Sequence, residues 1–250
     1  MNIQRNLAIM ALLVLMAAIL SACSFGVVVG SGRTTTETRA VSDFSAVDFA
    51  FIGDLAITQG NEESLTITGD DNIVPLIRTT VRDGVLHIDA SPANIGRTVI
   101  PLRYELTVKE LNAVSLSGLG NIEVDSLESP DVSLGLSGAG SLNVGNLLAN
   151  NLGVNMSGLG SANLAGEVNK QAVNVSGAGS YYARDLRSQA AAVQISGLGS
   201  AEIQAVETLD ASISGAGNIK YAGRPQVTQN ISGLGSIEAL GNDWFARSQP

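Results

Sequence analysis

A pentapeptide, Ser-Gly-[Leu/Ala]-Gly-[Ser/Asn], recurs seven times, beginning at Ser117, Ser137, Ser157, Ser176, Ser196, Ser214 and Ser232. The starts lie 20, 20, 19, 20, 18 and 18 residues apart. Units of this size cannot bury an apolar face alone, so the period predicts repeats stacked on one another as a solenoid rather than a globule.

Reading down the columns sharpens this. The residue before each serine is apolar in every repeat (Leu116, Leu136, Met156, Val175, Ile195, Ile213, Ile231), and the residue before that is small or polar. Such alternation marks strands with one inward face. Pairs five and seven residues after each serine, from Ile122/Val124 to Ile237/Ala239, predict a second inward stripe. Two short strands per repeat, joined through the glycines, follow. The glycines are expected at a corner or a close backbone approach that a Cβ atom would block.

About 20 residues suffice for one revolution of a parallel β-helix, and crossover chirality predicts a right-handed one. Seven such coils at about 4.8 Å give a rod of roughly 34 Å. Between the glycines the residues alternate strictly: Leu119, Ala139, Leu159, Ala178, Leu198, Ala216, Leu234. Large residues stacked on small ones fill space without strain, which makes packing the expected cause. A half revolution per repeat is the rival, placing all leucines on one side; one coil per repeat is favoured. The predicted class is all-β, a right-handed parallel β-helix with less regular amino-terminal β coils. Aromatics at 4% and 28 glycines among mainly Val, Ile, Leu and Ala suit many short strands.

Residues 1–22 read as a signal peptide: Arg5, then an apolar run at 7–20, too short for a comfortable membrane span. Leu20-Ser21-Ala22-Cys23 resembles the bacterial lipobox, and Cys23 is the only cysteine in the chain. The resemblance implies lipidation of Cys23 and stable membrane attachment outside the cytoplasm, at the outer membrane or cell surface if the organism has one. Residues 23–42, rich in Gly, Ser and Thr, read as a lipidated tether leading into a first strand.

Residues 43–110 read as imperfect β coils covering the first regular coil, with Pro92 and Pro101 bracketing a loop; 111–240 form the repeat helix and 241–250 a cap or tail. Trp244 and Phe245 are expected to close the open end of the core. Asp83-Gly84 predicts a two-residue hairpin turn within residues 80–88. Leu86 and Ile88 then share the inner face, which puts His87, the only histidine, outside and solvated.

The net charge of −9 repels phosphates and argues against nucleic acid as a partner. Seven equivalent serines without a histidine or lysine at a fixed offset predict hydroxyl and amide ladders between coils, not nucleophilic catalysis. Gly-x-Gly recurs without the strand-to-helix context of a nucleotide site, and the column where calcium β-rolls carry Asp holds Ser or Asn. No catalytic, metal or cofactor site is predicted. The outward column six residues after each serine reads Glu123, Asn143, Asn163, Tyr182, Glu202, Lys220, Glu238, a mixed solvated face. Sugar binding favours exposed aromatic platforms, and Tyr182 is the candidate surface contact.

Gly30-Ser31-Gly32, Glu37-x-Arg39-x-Val41-x-x-Phe44-x-x-Val47, Thr68-Gly69-Asp70-Asp71-Asn72, Val81-x-Asp83-Gly84-x-Leu86-x-Ile88 and the Ser-Gly-x-Gly coils together resemble the auto-transporter adhesin, head GIN domain family, over about residues 30–240. The resemblance implies a β-helical extracytoplasmic domain, common on lipoproteins, with an adhesive role. Only twelve residues follow Glu238, too few for an autotransporter's membrane barrel. The expected function is a non-enzymatic envelope lipoprotein, anchored through Cys23, that contacts a glycan or an envelope protein or serves structurally. The alternatives are a β-helical carbohydrate-active enzyme, on fold analogy alone, and an accessory envelope-signalling protein.

Overall fold

The computed structural model describes residues 27–90 and 95–240. Its body is a parallel β-solenoid of about six turns with coils of about 20 residues. The column before the repeat serines forms one continuous ladder: Leu116, Leu136, Met156, Val175, Ile195, Ile213 and Ile231 are successive parallel Cα partners. Each repeat is therefore one full coil, and the half-revolution alternative is ruled out. All of this ladder except the terminal Ile231 is buried, as are Ile122, Val124, Leu142, Val144, Tyr181, Ala183 and Ile219 of the second stripe.

Each coil also has a third inward run that the period-two reading missed. In strand Leu119–Glu128 the burial alternates through Val124, breaks at Asp125 and Ser126, and resumes at Leu127. Two consecutive exposed residues reset the phase and turn a corner, so a coil has three inward runs rather than two. The glycines do what their lack of a side chain allows. A Cβ on Gly158 would lie 2.0 Å from the carbonyl oxygen of Gly138 one rung away, and the same contact recurs at Gly138, Gly197, Gly215 and Gly233.

The alternating column between the glycines does not pack in the core. Leu119, Leu159, Leu198 and Leu234 are exposed. With backbones in contact at the flanking glycines, no inward space remains there and the intervening side chain points outward. Large-over-small packing does occur inside the rod, at Tyr181, whose neighbours on adjacent rungs are Ala162 and Ala201.

Residues 43–110 close the amino-terminal end. Strands Ala46–Phe49 and Ile52–Gln59 add a parallel rung above the first repeat, and Val85–Ala90 and Arg103–Val108 add another. Antiparallel strands then take over: Ile77–Arg82 pairs with Val85–Ala90, Ser64–Asp70 with Arg103–Val108, and Thr34–Arg39 with Ser64–Asp70. Phe49 and Tyr104 meet edge to face at 5.0 Å in the core of this cap. The hairpin turn has Asp83 at φ 52° and Gly84 at φ 75°, the positive pair that a two-residue turn demands.

Much of the segment expected to be a tether is bound to the body. Val28–Val29 pairs with Ile95–Arg97, and Thr34–Arg39 is the outermost antiparallel strand. Between them, Gly30 to Arg33 is clasped by Asp70-Asp71-Asn72. The buried Asp70 carboxylate accepts the N–H groups of Gly32, Val99 and Ile100 at 2.8 to 3.0 Å. Asp71 accepts the Ser31 hydroxyl and pairs with Arg33 at 2.9 Å, while Asn72 accepts the Ser31 N–H and donates to the Val29 carbonyl. Gly30 must be glycine here, since a Cβ would lie 2.3 Å from the Asp70 carboxylate. Arg39 donates to the carbonyls of Val74 and Ile77, tying the outer strand to the turn beneath it. Three of the separated motifs that carry the family resemblance, at residues 30–32, 37–47 and 68–72, thus meet at this amino-terminal clasp. The signal peptide, Cys23, Pro92, Trp244 and Phe245 lie outside the described residues.

Candidate binding groove

Stacking one coil per repeat brings the outward column six residues after each repeat serine into register. Glu123, Asn143, Asn163, Tyr182, Glu202, Lys220 and Glu238 follow one another as Cα partners down one flat face. Beside them runs the predicted hydroxyl and amide ladder: Ser141 donates to Asn121 at 2.6 Å, Ser200 to Ser180 at 3.1 Å and Ser236 to Asn218 at 3.1 Å. Asn163 donates to Asn143 at 2.7 Å in the Tyr182 column itself. At these steps one rung orients the polar group of the next.

On this face the register slips between Asn163 and Ala165, and again between Ala183 and Arg187. At the second slip Ala183 pairs with Ile203 and Arg187 with Gln204, so this strand carries three more residues than the one that follows it, while on its other side Asp185 and Leu186 pair with Ala165 and Gly166; Leu186 is fully buried. The bulge supplies Arg184 and Asp185 to the wall of a groove of about 500 Å³. Glu123, Asp125, Asn143 and Asn163 line one end and Arg184, Asp185 and Glu202 the other, with Tyr182 between them and 43% exposed. Arg184 pairs with Glu202 and fixes that carboxylate, and Arg187 pairs with Glu167 at 2.7 Å nearby. The lining is rich in carboxylates and amides around one aromatic ring. It can accept and donate hydrogen bonds to hydroxyl or ammonium groups and repels anions.

A larger groove of about 920 Å³ lies at the junction of the cap with the first repeats. Among the described residues no aromatic side chain lines it, and its Gln59 amide is already engaged with the backbone of Lys109 and Glu128. The Tyr182 groove is the better candidate.

His87 lies outward as expected but is half-buried, with Nδ1 3.2 Å from Asp48. Ser117 donates to the other oxygen of the same carboxylate at 3.2 Å. Serine, aspartate and histidine are thus together, but the carboxylate sits in the middle. A nucleophile needs the imidazole there to take its proton, so this is a cross-rung clamp. Among the described residues, no three of His, Cys, Asp and Glu are grouped so as to hold a metal ion, and no helix is long and apolar enough to cross a membrane.

Sequence reasoning missed a buried polar cluster in the core. Gln171 donates to Ser188 at 2.9 Å and accepts the Tyr181 hydroxyl at 3.0 Å, and Ser188 donates to the Gln204 carbonyl at 2.7 Å. Gln171 stands in an otherwise apolar column between Leu152 and Ala191, which is the signal that could have revealed it. With every member hydrogen-bonded, it serves the stack's register rather than a ligand.

Comparison with known proteins agrees with this architecture. The sequence pattern of the family described as "Putative auto-transporter adhesin, head GIN domain" matches residues 43–225. The solved structure of a "putative adhesin" from Bacteroides fragilis NCTC 9343 aligns with a TM-score of 0.82 at 27% identity, covering 85% of this chain and 100% of that one. A "putative adhesin" from Parabacteroides merdae ATCC 43184 aligns at 0.69 and 25% identity, over 86% and 99%. A "putative lipid binding protein" from Parabacteroides distasonis ATCC 8503 shares the fold at 0.68 and 24% identity, over 86% and 99%. No curated protein matches the chain.

Proposed function

The chain belongs to the "putative auto-transporter adhesin, head GIN domain" family, and on that premise we propose that it is a non-enzymatic binding module of the cell surface. It is held by lipid chains on Cys23 and grips a neutral or amine-bearing glycan in the Tyr182 groove. The observation that carries this reading is the half-exposed Tyr182 ring, seated on a rigid sheet between the Asn143/Asn163 amide pair and the fixed Glu202 carboxylate. An aromatic face takes the apolar face of a pyranose ring, while the amides and carboxylates read its hydroxyls. The surplus of Glu123, Asp125, Asp185 and Glu202 over Arg184 disfavours the acidic polysaccharides that a lyase would cut.

The test is binding of the full chain to a panel of neutral, amine-bearing and acidic envelope polysaccharides. Retention of the first two classes is expected, weakened about tenfold by Tyr182→Ala, or about 1.4 kcal/mol. Preference for the acidic class, or indifference to Tyr182→Ala, would overturn the reading. New reducing or unsaturated ends after incubation would favour the enzyme instead.

A further inference from the structure

Leu119, Leu159, Leu198 and Leu234 are 59%, 66%, 72% and 83% exposed, so no contact among the described residues accounts for them. They form one line. Leu119, Ala139 and Leu159 are successive Cα partners. Farther down, the N–H groups of Leu198, Ala216 and Leu234 bond to the carbonyls of Gly177, Gly197 and Gly215 on the preceding rungs. With rungs about 4.8 Å apart, the leucines stand about 9.6 Å apart, and an alanine methyl floors each gap. A solvated column gains nothing internally from strict alternation. The order has meaning only for something outside that shares its period.

We infer that this ridge docks against the same ridge of a second copy of the chain. Two antiparallel rods related by a two-fold axis lying between rungs present three of the four leucines of each to the three alanine gaps of the other, a self-complementary contact. Charge favours the same choice. Every residue of the seven pentapeptides is uncharged in a chain of net charge −9, whereas the column six residues after each serine carries three acids, Glu123, Glu202 and Glu238, against one base, Lys220. Two acidic rods meet there with the least repulsion. A lipid surface has no period and gains nothing from the gaps. The strip is narrow, so the pair falls in the weak, transient class below about 1,200 Å² of total buried area. Its two amino termini point in opposite directions, the geometry of a bridge between facing surfaces. This contact uses a different column from the Tyr182 groove and stands or falls separately.

Sedimentation equilibrium of the full chain carrying Cys23→Ser, which removes the acylation site, tests it. A reversible monomer–dimer equilibrium is expected. Leu159→Ser with Leu198→Ser should weaken it at least tenfold, and so should Ala139→Leu with Ala178→Leu, which fills the gaps while adding apolar surface. Tyr182→Ala should leave it unchanged. A monomer at every concentration, dimerisation indifferent to the serine variant, or equal or tighter association of the gap-filled variant would overturn the inference. So would leucine-dependent flotation with phosphatidylcholine vesicles in place of dimerisation.

Discussion

The Asp70 carboxylate accepts the N–H of Gly32 at 2.8 Å across 38 residues of sequence. Burial, the largest single influence, would raise its pKa. The N–H groups of Gly32, Ile100 and Val99 together outweigh it and hold the group below the ordinary carboxyl value of 3.8. The unfolded chain therefore takes up this proton first as pH falls. The stabilisation is fully present above about pH 4 and is lost as pH drops through the folded-state value. Asp70→Asn offers one acceptor oxygen and an NH₂ group that faces N–H donors. It should cost about 2 kcal/mol at neutral pH. Thermal unfolding from pH 7 to 2 should show a smaller loss of stability in the variant than in the wild type; parallel curves would refute this account of the clasp.

Two glycine substitutions should differ for different reasons. Gly158→Ala places a methyl 2.0 Å from the Gly138 carbonyl oxygen, so the rungs must separate, at about 3 kcal/mol or more. Gly84→Ala meets no atom within 4 Å, and only its φ of +75° opposes it, at about 1 kcal/mol. Urea unfolding midpoints measure the ordering.

Burial pushes the Tyr181 hydroxyl far above its ordinary pKa, so it stays protonated and donates to Gln171. Tyr181→Phe leaves that acceptor unpaired and should destabilise by about 1 to 2 kcal/mol. Combined with Gln171→Leu it should cost less than the sum of the two single changes, because both remove one interaction. A double-mutant cycle by chemical denaturation gives the coupling directly; strict additivity would mean that the bond contributes nothing.

If acyl chains on Cys23 hold the protein, Cys23→Ser should move it from the membrane pellet to the soluble fraction. Intact-mass measurement should show that the native residue is modified. An unmodified thiol in membrane-associated protein would contradict the anchor.

The inward columns were legible because period-two alternation and a repeat near 20 residues leave little choice of face, and Leu116, Ile122 and their successors are buried accordingly. The leucine column was misread for a physical reason. At a corner flanked by two glycines alternation no longer tells inside from outside, and only the inter-rung backbone contact decides it. The third inward run was hidden because its phase resets at Asp125 and Ser126. Tyr182 could be found as a candidate because it is aromatic in a polar column. The groove wall could not, since the bulge at Arg184 and Asp185 arises from a mismatch between two neighbouring rungs. The clasp motifs are recognisable in the sequence, but nothing local says that residue 32 meets residue 70.

The position of that clasp decides how the molecule carries load. A pull arriving along the chain at residue 27 reaches the pairing of Val28–Val29 with Ile95–Arg97, then the Asp70-Asp71-Asn72 grip, then the six paired residues of Thr34–Arg39, before any rung of the stack feels it. Tension is shed into the sealed end, and the ladder that displays Tyr182 keeps its spacing while the foot is tugged.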